Sequence, residues 1–150
     1  MGVLDNLSEE LKNAMKAKDS IKLESLRAIK SAVLMAKTSS GAENKINEEE
    51  SIKILQRLVK QRKDSASIFM EQGRSDLAEP EQAQAEIISS FLPKQLSEVE
   101  VDQVVSNIIS KIGAQGMKDM GKVMGMVSKK IGGKAEGKLI AKLVKNKLSL

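Results

Sequence analysis

Residues 116–125, GMKDMGKVMG, come within one residue of a phosphate-binding loop. Gly116, four residues, then Gly121-Lys122 keep the spacing of G-x-x-x-x-G-K-[ST], in which backbone N–H groups cradle phosphate oxygens and the Lys neutralises them. Val123 stands where a Ser or Thr hydroxyl would hold Mg²⁺. A helical pattern precedes the glycines where the motif needs a strand, and no α/β alternation surrounds them. Nucleotide binding is therefore not expected.

The same residues make better sense on a helical wheel. Met120, Val123, Met124, Val127 and Ile131 share one face, while Lys118, Lys122 and Lys129 fall opposite. Gly121 and Gly125 form a smooth strip between the two. Each glycine inside a helix costs about 1 kcal/mol relative to Ala, which implies close approach of another backbone, from a neighbouring helix or a ligand. Further on, Lys138, Lys142 and Lys145 align while Leu139, Ile140, Leu143 and Val144 point away, and Lys134 sits in the intervening turn. Two helices and a turn thus offer lysines with few acids, a landing surface for phosphates. The plainer reading is a solvated face that keeps a helical bundle soluble. The methionines at 117, 120, 124 and 126 read as adaptable core. Lys53, Arg57, Lys60, Arg62 and Lys63 have Glu49, Glu50 and Asp64 nearby and read as ordinary helix surface.

A nucleic-acid partner would be recognised in a restricted way. Single strands are usually held by stacking bases on aromatic rings, and the aromatics here are Phe69 and Phe91, both on apolar stripes. Recognition would rest on backbone and shape, as in structured RNA.

Absences restrict the chemistry further. The chain has no His and no Cys, which removes thiol nucleophiles, imidazole bases and zinc sites built on either residue. The acids are scattered along helical faces. No catalytic residue, cofactor or metal ligand is assigned. No segment approaches the roughly 20 apolar residues of a membrane span, and the amphipathic N-terminus is too acidic for a signal or transit peptide. Without cystine, a reducing compartment fits. A soluble, cytoplasmic protein with no membrane partner is expected.

The elements that must carry the lysines are helices. Apolar residues recur at helical spacing at Leu4, Leu7, Leu11 and Met15, then at Leu23, Leu26, Ile29, Val33 and Ala36. KTSSGAENKI reads as a loop. A capping pattern at Asn47 opens a long helix with Ile52, Leu55, Val59, Ala66 and Phe69 inward. Gly73 can end it, Ser75 or Asp76 can start the next, and Pro80 is tolerable there only in the first turn. FLPKQLSEVE is the clearest boundary: Pro93 disfavours helix at Leu92, and Ser97 with Glu100 forms a capping box. The helix after it buries Val101, Val104 or Val105, Ile108 and Ile112, and two more follow near 119–131 and 135–148. The expected fold is all-α and multihelical, with a four-helix N-terminal subdomain (1–92) and a basic three-helix C-terminal subdomain (93–150). Residues 1–92 carry 14 basic and 15 acidic side chains, and residues 93–150 carry 11 and 5. The balance moves from −1 to +6, which marks the second part for an anionic partner.

Several segments, taken in order, resemble a known family. VKQRKDSA (59–66), GRSDLAEPE (73–81), FLPKQLSEVE (91–100), GAQGMKDMGKVMGMV (113–127) and GGKAEG (132–137) look like the GatB/YqeY family, and most like its stand-alone members. The resemblance implies an all-helical fold in two subdomains. It also implies kinship with the tail of the GatB subunit of a tRNA-dependent amidotransferase, an enzyme that converts Glu or Asp on misacylated tRNA to Gln or Asn. In that enzyme the tail helps engage the tRNA body, and separate domains do the amidase and kinase chemistry. Carbon–nitrogen ligase activity with glutamine as amido donor would thus describe the relative. Three positions depart from the family's pattern: Lys134 and Glu136 stand where an Arg and an Asp are frequent, and Phe91 replaces a frequent Tyr.

Three readings follow. The first is a non-catalytic, tRNA-binding-like accessory protein, in which Lys118, Lys122, Lys129, Lys134 and Lys138 contact phosphates and Gly121 and Gly125 admit a backbone. The second is an interaction module whose Met-rich part docks on a larger protein. The third is amidotransfer itself, for which no nucleophile or metal cluster is present. Steep salt dependence, a stable protein partner and a glutamine-dependent product would respectively mark them.

Overall fold

The computed structural model describes residues 2–39 and 45–149. It is all-α, with helices α1 (Leu7–Ala17), α2 (Ser20–Ser39), α3 (Glu48–Glu71), α4 (Ser75–Ser89), α5 (Glu98–Ile112), α6 (Met120–Ile131) and α7 (Gly137–Leu148), and a 3₁₀ turn over Met117–Asp119. Among the described residues there is no strand. The stretch read as a loop at 37–46 begins inside α2, and its residues 40–44 lie outside the described residues. The chain divides into two compact units, Met1–Pro93 and Lys94–Leu150.

The first unit is built on α3 and α4, which pack along each other and receive α2 and then α1. Its core is Ala14, Leu26, Ile29, Val33, Leu55, Leu58, Val59, Ala85 and Ile88. Each large aliphatic side chain so buried contributes about 1.5–3 kcal/mol. Leu4, Leu7 and Leu11 lean on this core half-buried, with Phe91. Met15 does not: Ala14 turns inward and Met15 is 59% exposed, one residue out of the expected stripe. The helix starts follow side-chain capping. Asn47 accepts from the Glu50 N–H at 2.8 Å and Asp19 from the Lys22 N–H at 3.1 Å. Gly73, with φ 71°, follows the end of α3. Pro80 lies deeper than expected, as the sixth residue of α4 rather than in its first turn. The Asp76 carbonyl it leaves without a donor belongs to an exposed residue, so water can serve it. A polar chain ties three helices together: Arg62 donates to Gln84 at 3.3 Å, and Gln84 donates to Glu24 at 3.2 Å.

The second unit packs α5, α6 and α7 around Val101, Val105, Ile108, Val123, Val127, Ile131, Ala135, Ile140, Leu143, Val144 and Leu148. Val104 and Ile112 lie at its margin, so of the two valines offered by the sequence Val105 takes the central place. The capping box is present in full, with Glu100 N–H donating to Ser97 Oγ at 3.2 Å and Ser97 N–H to the Glu100 carboxylate at 3.0 Å. Gly113 ends α5 in the left-handed region, φ 69°.

Candidate nucleic-acid interface

Burial of Val123, Val127 and Ile131 fixes the rotation of α6 about its own axis. Gly121, Lys122, Gly125 and Lys129 are consequently exposed on its solvent side. Lys118 is also exposed, but it sits in the 3₁₀ turn rather than on α6, because the helix begins only at Met120. Asp119 holds that turn by accepting from the Gln115 N–H at 3.0 Å.

Lys134 is carried by the α6–α7 turn, whose shape is set from three directions. Its own N–H donates to the Ile131 carbonyl at 2.9 Å, and its carbonyl accepts from the Leu96 N–H at 2.8 Å. One residue earlier, the Gly133 carbonyl accepts from Gln95 Nε2 at 2.9 Å. Gly133 has φ 86°, a conformation that costs glycine little. At Gly132 a side chain would run into the Ser128 backbone carbonyl. The loop is a rigid mount, from which Lys134 and then Lys138, in the first turn of α7, project into solvent.

The structure answers the question about Gly121 and Gly125 in part. A Cβ at either position would meet no atom within 4 Å. Among the described residues no neighbouring helix covers these glycines, and α5 and α7 pack on the opposite, apolar face of α6. The helical cost of two glycines, about 1 kcal/mol each, is not offset by any internal contact found there.

Electrostatics separate the lysines from an ordinary mixed surface. Among the described residues no ion pair holds Lys118, Lys122, Lys129, Lys134 or Lys138, whereas Lys147 is paired with Asp102 at 3.3 Å. Three of the five acids of this unit are engaged by other groups, Asp102 in that pair, Asp119 on Gln115 and Glu100 in the capping box, while Glu136 lies between Lys134 and Lys138 in the chain. The backbone and side-chain hydrogen bonds from Ser97 hold the Glu100 carboxyl below the usual carboxylate range. Lys130, which the sequence reading did not single out, is exposed on α6 as well, next to Lys129. Gln95 was also missed, and no local pattern flags a residue that acts through a turn 38 positions away.

The arrangement offers cations and bare backbone, not reacting groups. Among the described residues no group of three or more His, Cys, Asp or Glu could hold a metal ion. No helix among them is long and apolar enough to cross a membrane.

Comparison with known proteins identifies relatives over most of the chain. A family model described as Yqey-like protein matches residues 4–148. The protein named "Altered inheritance of mitochondria protein 41, mitochondrial" from Lachancea thermotolerans is 33% identical over 109 residues, covering 71% of this chain and 58% of that protein. Its namesake from Clavispora lusitaniae is 33% identical over 114 residues, covering 75% and 65%. This chain therefore spans less than two thirds of the length of either. A glutamyl-tRNA(Gln) amidotransferase subunit from Thermococcus gammatolerans is 34% identical over 73 residues, 46% of this chain and 12% of its own length. The expectation of a cytoplasmic location is corrected by these findings, because the relatives matched over most of the chain are named mitochondrial. Lack of cystine had suggested the cytosol, yet it is a property of any reducing compartment and does not select among them.

Proposed function

The chain belongs to the Yqey-like protein family, and on that premise we propose that it is a non-catalytic accessory protein that binds tRNA through its second unit. One observation carries this reading: five exposed lysines without ion pairs among the described residues follow one another along the 3₁₀ turn, α6, the α6–α7 turn and α7. The likeness to a protein named for glutamyl-tRNA(Gln) supports tRNA as the polyanion. Lys118, Lys122, Lys129, Lys134 and Lys138 contact phosphates, and the uncovered strip at Gly121 and Gly125 lets the RNA backbone approach α6 more closely than any larger residue would. With no aromatic exposed for stacking in this unit, shape and phosphate spacing carry the recognition.

The test is binding to unfractionated tRNA against length-matched poly-U and duplex DNA across a salt series. The expected result is a preference for tRNA, and a Lys118/Lys122/Lys129 triple Ala variant that loses affinity together with about two to three units of log–log salt slope. Weak binding that ranks the three polymers alike would leave only generic basic charge and refute the reading.

A further inference from the structure

The second unit builds its whole positive charge from one residue type. All 11 of its basic side chains are lysines. The first unit carries Arg27, Arg57, Arg62 and Arg74, so the chain as a whole does not avoid arginine. An arginine presents a planar fork that pairs with two acceptors at once, whereas a lysine is a compact point charge on a flexible stem. Residues 94–150 also contain no aromatic side chain, which leaves nothing on which an unpaired base can stack. Along 116–148, the segment that bears the lysines described above, Ser128 and Asn146 are the only uncharged side chains with a nitrogen or oxygen to offer a base edge.

Lys142 and Lys145 continue the row begun by Lys138. Burial of Ile140, Leu143 and Val144 leaves all three lysines exposed on one side of α7, spread over about 10 Å of helix axis. Neither α6 nor α7 contains an acid. Among the described residues no ion pair holds Lys142 or Lys145. These charges stand in a fixed row on a rigid element.

A fixed row suits a polyanion whose backbone is already held in shape. A single strand would have to be ordered against it without aromatic stacking, which is worth about tenfold or more in affinity for each base. A double helix brings its phosphates preformed. In RNA that helix is A-form, with a major groove too deep and narrow for side chains and a wide minor groove that displays 2′-hydroxyls. Lysines reach phosphates and hydroxyls there, and the base sequence goes unread.

We propose that the second unit recognises double-helical RNA arms independently of base sequence, with Lys142 and Lys145 as part of the contact surface. The inference rests on the tRNA reading and narrows it. What is bound is the stem, not an unpaired loop or a particular base.

The experiment measures binding of the full chain to unfractionated tRNA, to two RNA duplexes of about 16 base pairs with equal composition and shuffled sequence, and to poly-U of the same length, across a salt series. The two duplexes are expected to bind within about twofold of each other and about tenfold or more tighter than poly-U. A Lys142→Ala/Lys145→Ala variant should weaken both duplexes equally and lower the log–log salt slope by about two units. The corresponding Lys142→Arg/Lys145→Arg variant should keep the slope, which separates lost charge from lost fold. Suppose tRNA binds, but one duplex wins by about tenfold, poly-U matches the duplexes, or the Ala variant keeps its slope. This inference then falls and the tRNA reading stands. If neither tRNA nor duplex binds, both fall together.

Discussion

Gln95 Nε2 reaches the Gly133 carbonyl at 2.9 Å, so a side chain at the head of the second unit fixes the turn that presents Lys134. The neighbouring Leu96 N–H holds the Lys134 carbonyl at 2.8 Å. The lysine is therefore aimed by residues that carry no charge themselves.

Gln95→Ala removes one of these holds. A lost hydrogen bond of this kind costs about 1 kcal/mol, and the expected loss of stability is of that order. Affinity for tRNA should fall while the salt slope stays the same, because the number of phosphate-neutralising cations has not changed. A salt slope that drops along with affinity would show that Lys134 itself had left the surface.

Gly121→Ala and Gly125→Ala should each stabilise the protein by about 1 kcal/mol, the helix-propensity difference, because the added methyl meets no atom within 4 Å. If RNA lies on the uncovered strip, binding weakens in the same variants. Thermal melting and tRNA binding should thus move in opposite directions. Unchanged binding in the more stable double variant would show that the glycines serve no partner there.

Ser97→Ala should cost about 1 kcal/mol through loss of the N-cap of α5, measurable by denaturant unfolding. The same motif makes stability depend on acidity. The Glu100 carboxyl is held below its usual range by the Ser97 hydrogen bonds. Its contribution is fully present above the ordinary carboxylate pKa and disappears as pH falls through the lowered one. Glu100→Gln should flatten that part of the acid limb, while the profile near neutrality keeps its shape.

Gly132→Ala should destabilise the second unit by about 1–3 kcal/mol, the usual cost of overpacking, because the new methyl strikes the Ser128 carbonyl. Amide exchange should quicken in α6 and α7 and stay unchanged in α2 and α3. Uniform quickening across the chain would contradict it.

Much of the fold was legible because helical periodicity and caps are local signals. Leu26, Ile29, Val33, Val123, Val127 and Ile140 all declared their faces by spacing, and Asn47 and Ser97 declared the starts of α3 and α5. The errors lie where neighbours decide. Met15 sits at the right interval for the α1 stripe, yet the smaller Ala14 is the residue that fits against α2. Leu58 was missed because Val59 beside it satisfied the same pattern, although both are buried. The candidate surface was legible as a set of lysines but not as a geometry. The hold of Gln95 on Gly133 spans 38 positions, the open space over the glycines depends on where α5 and α7 pack, and the 3₁₀ turn that separates Lys118 from α6 rests on a bond from Gln115 to Asp119 that spacing of apolar residues does not reveal.

The nine buried residues at the centre of the first unit and the eleven at the centre of the second have no member in common. The members of each set must stay mutually compatible. A substitution that opens a void beneath α6 is compensated by neighbours in the same cluster, such as Ile140 or Val144. The core beneath the lysine-bearing face can thus be repacked by paired changes among its own eleven members.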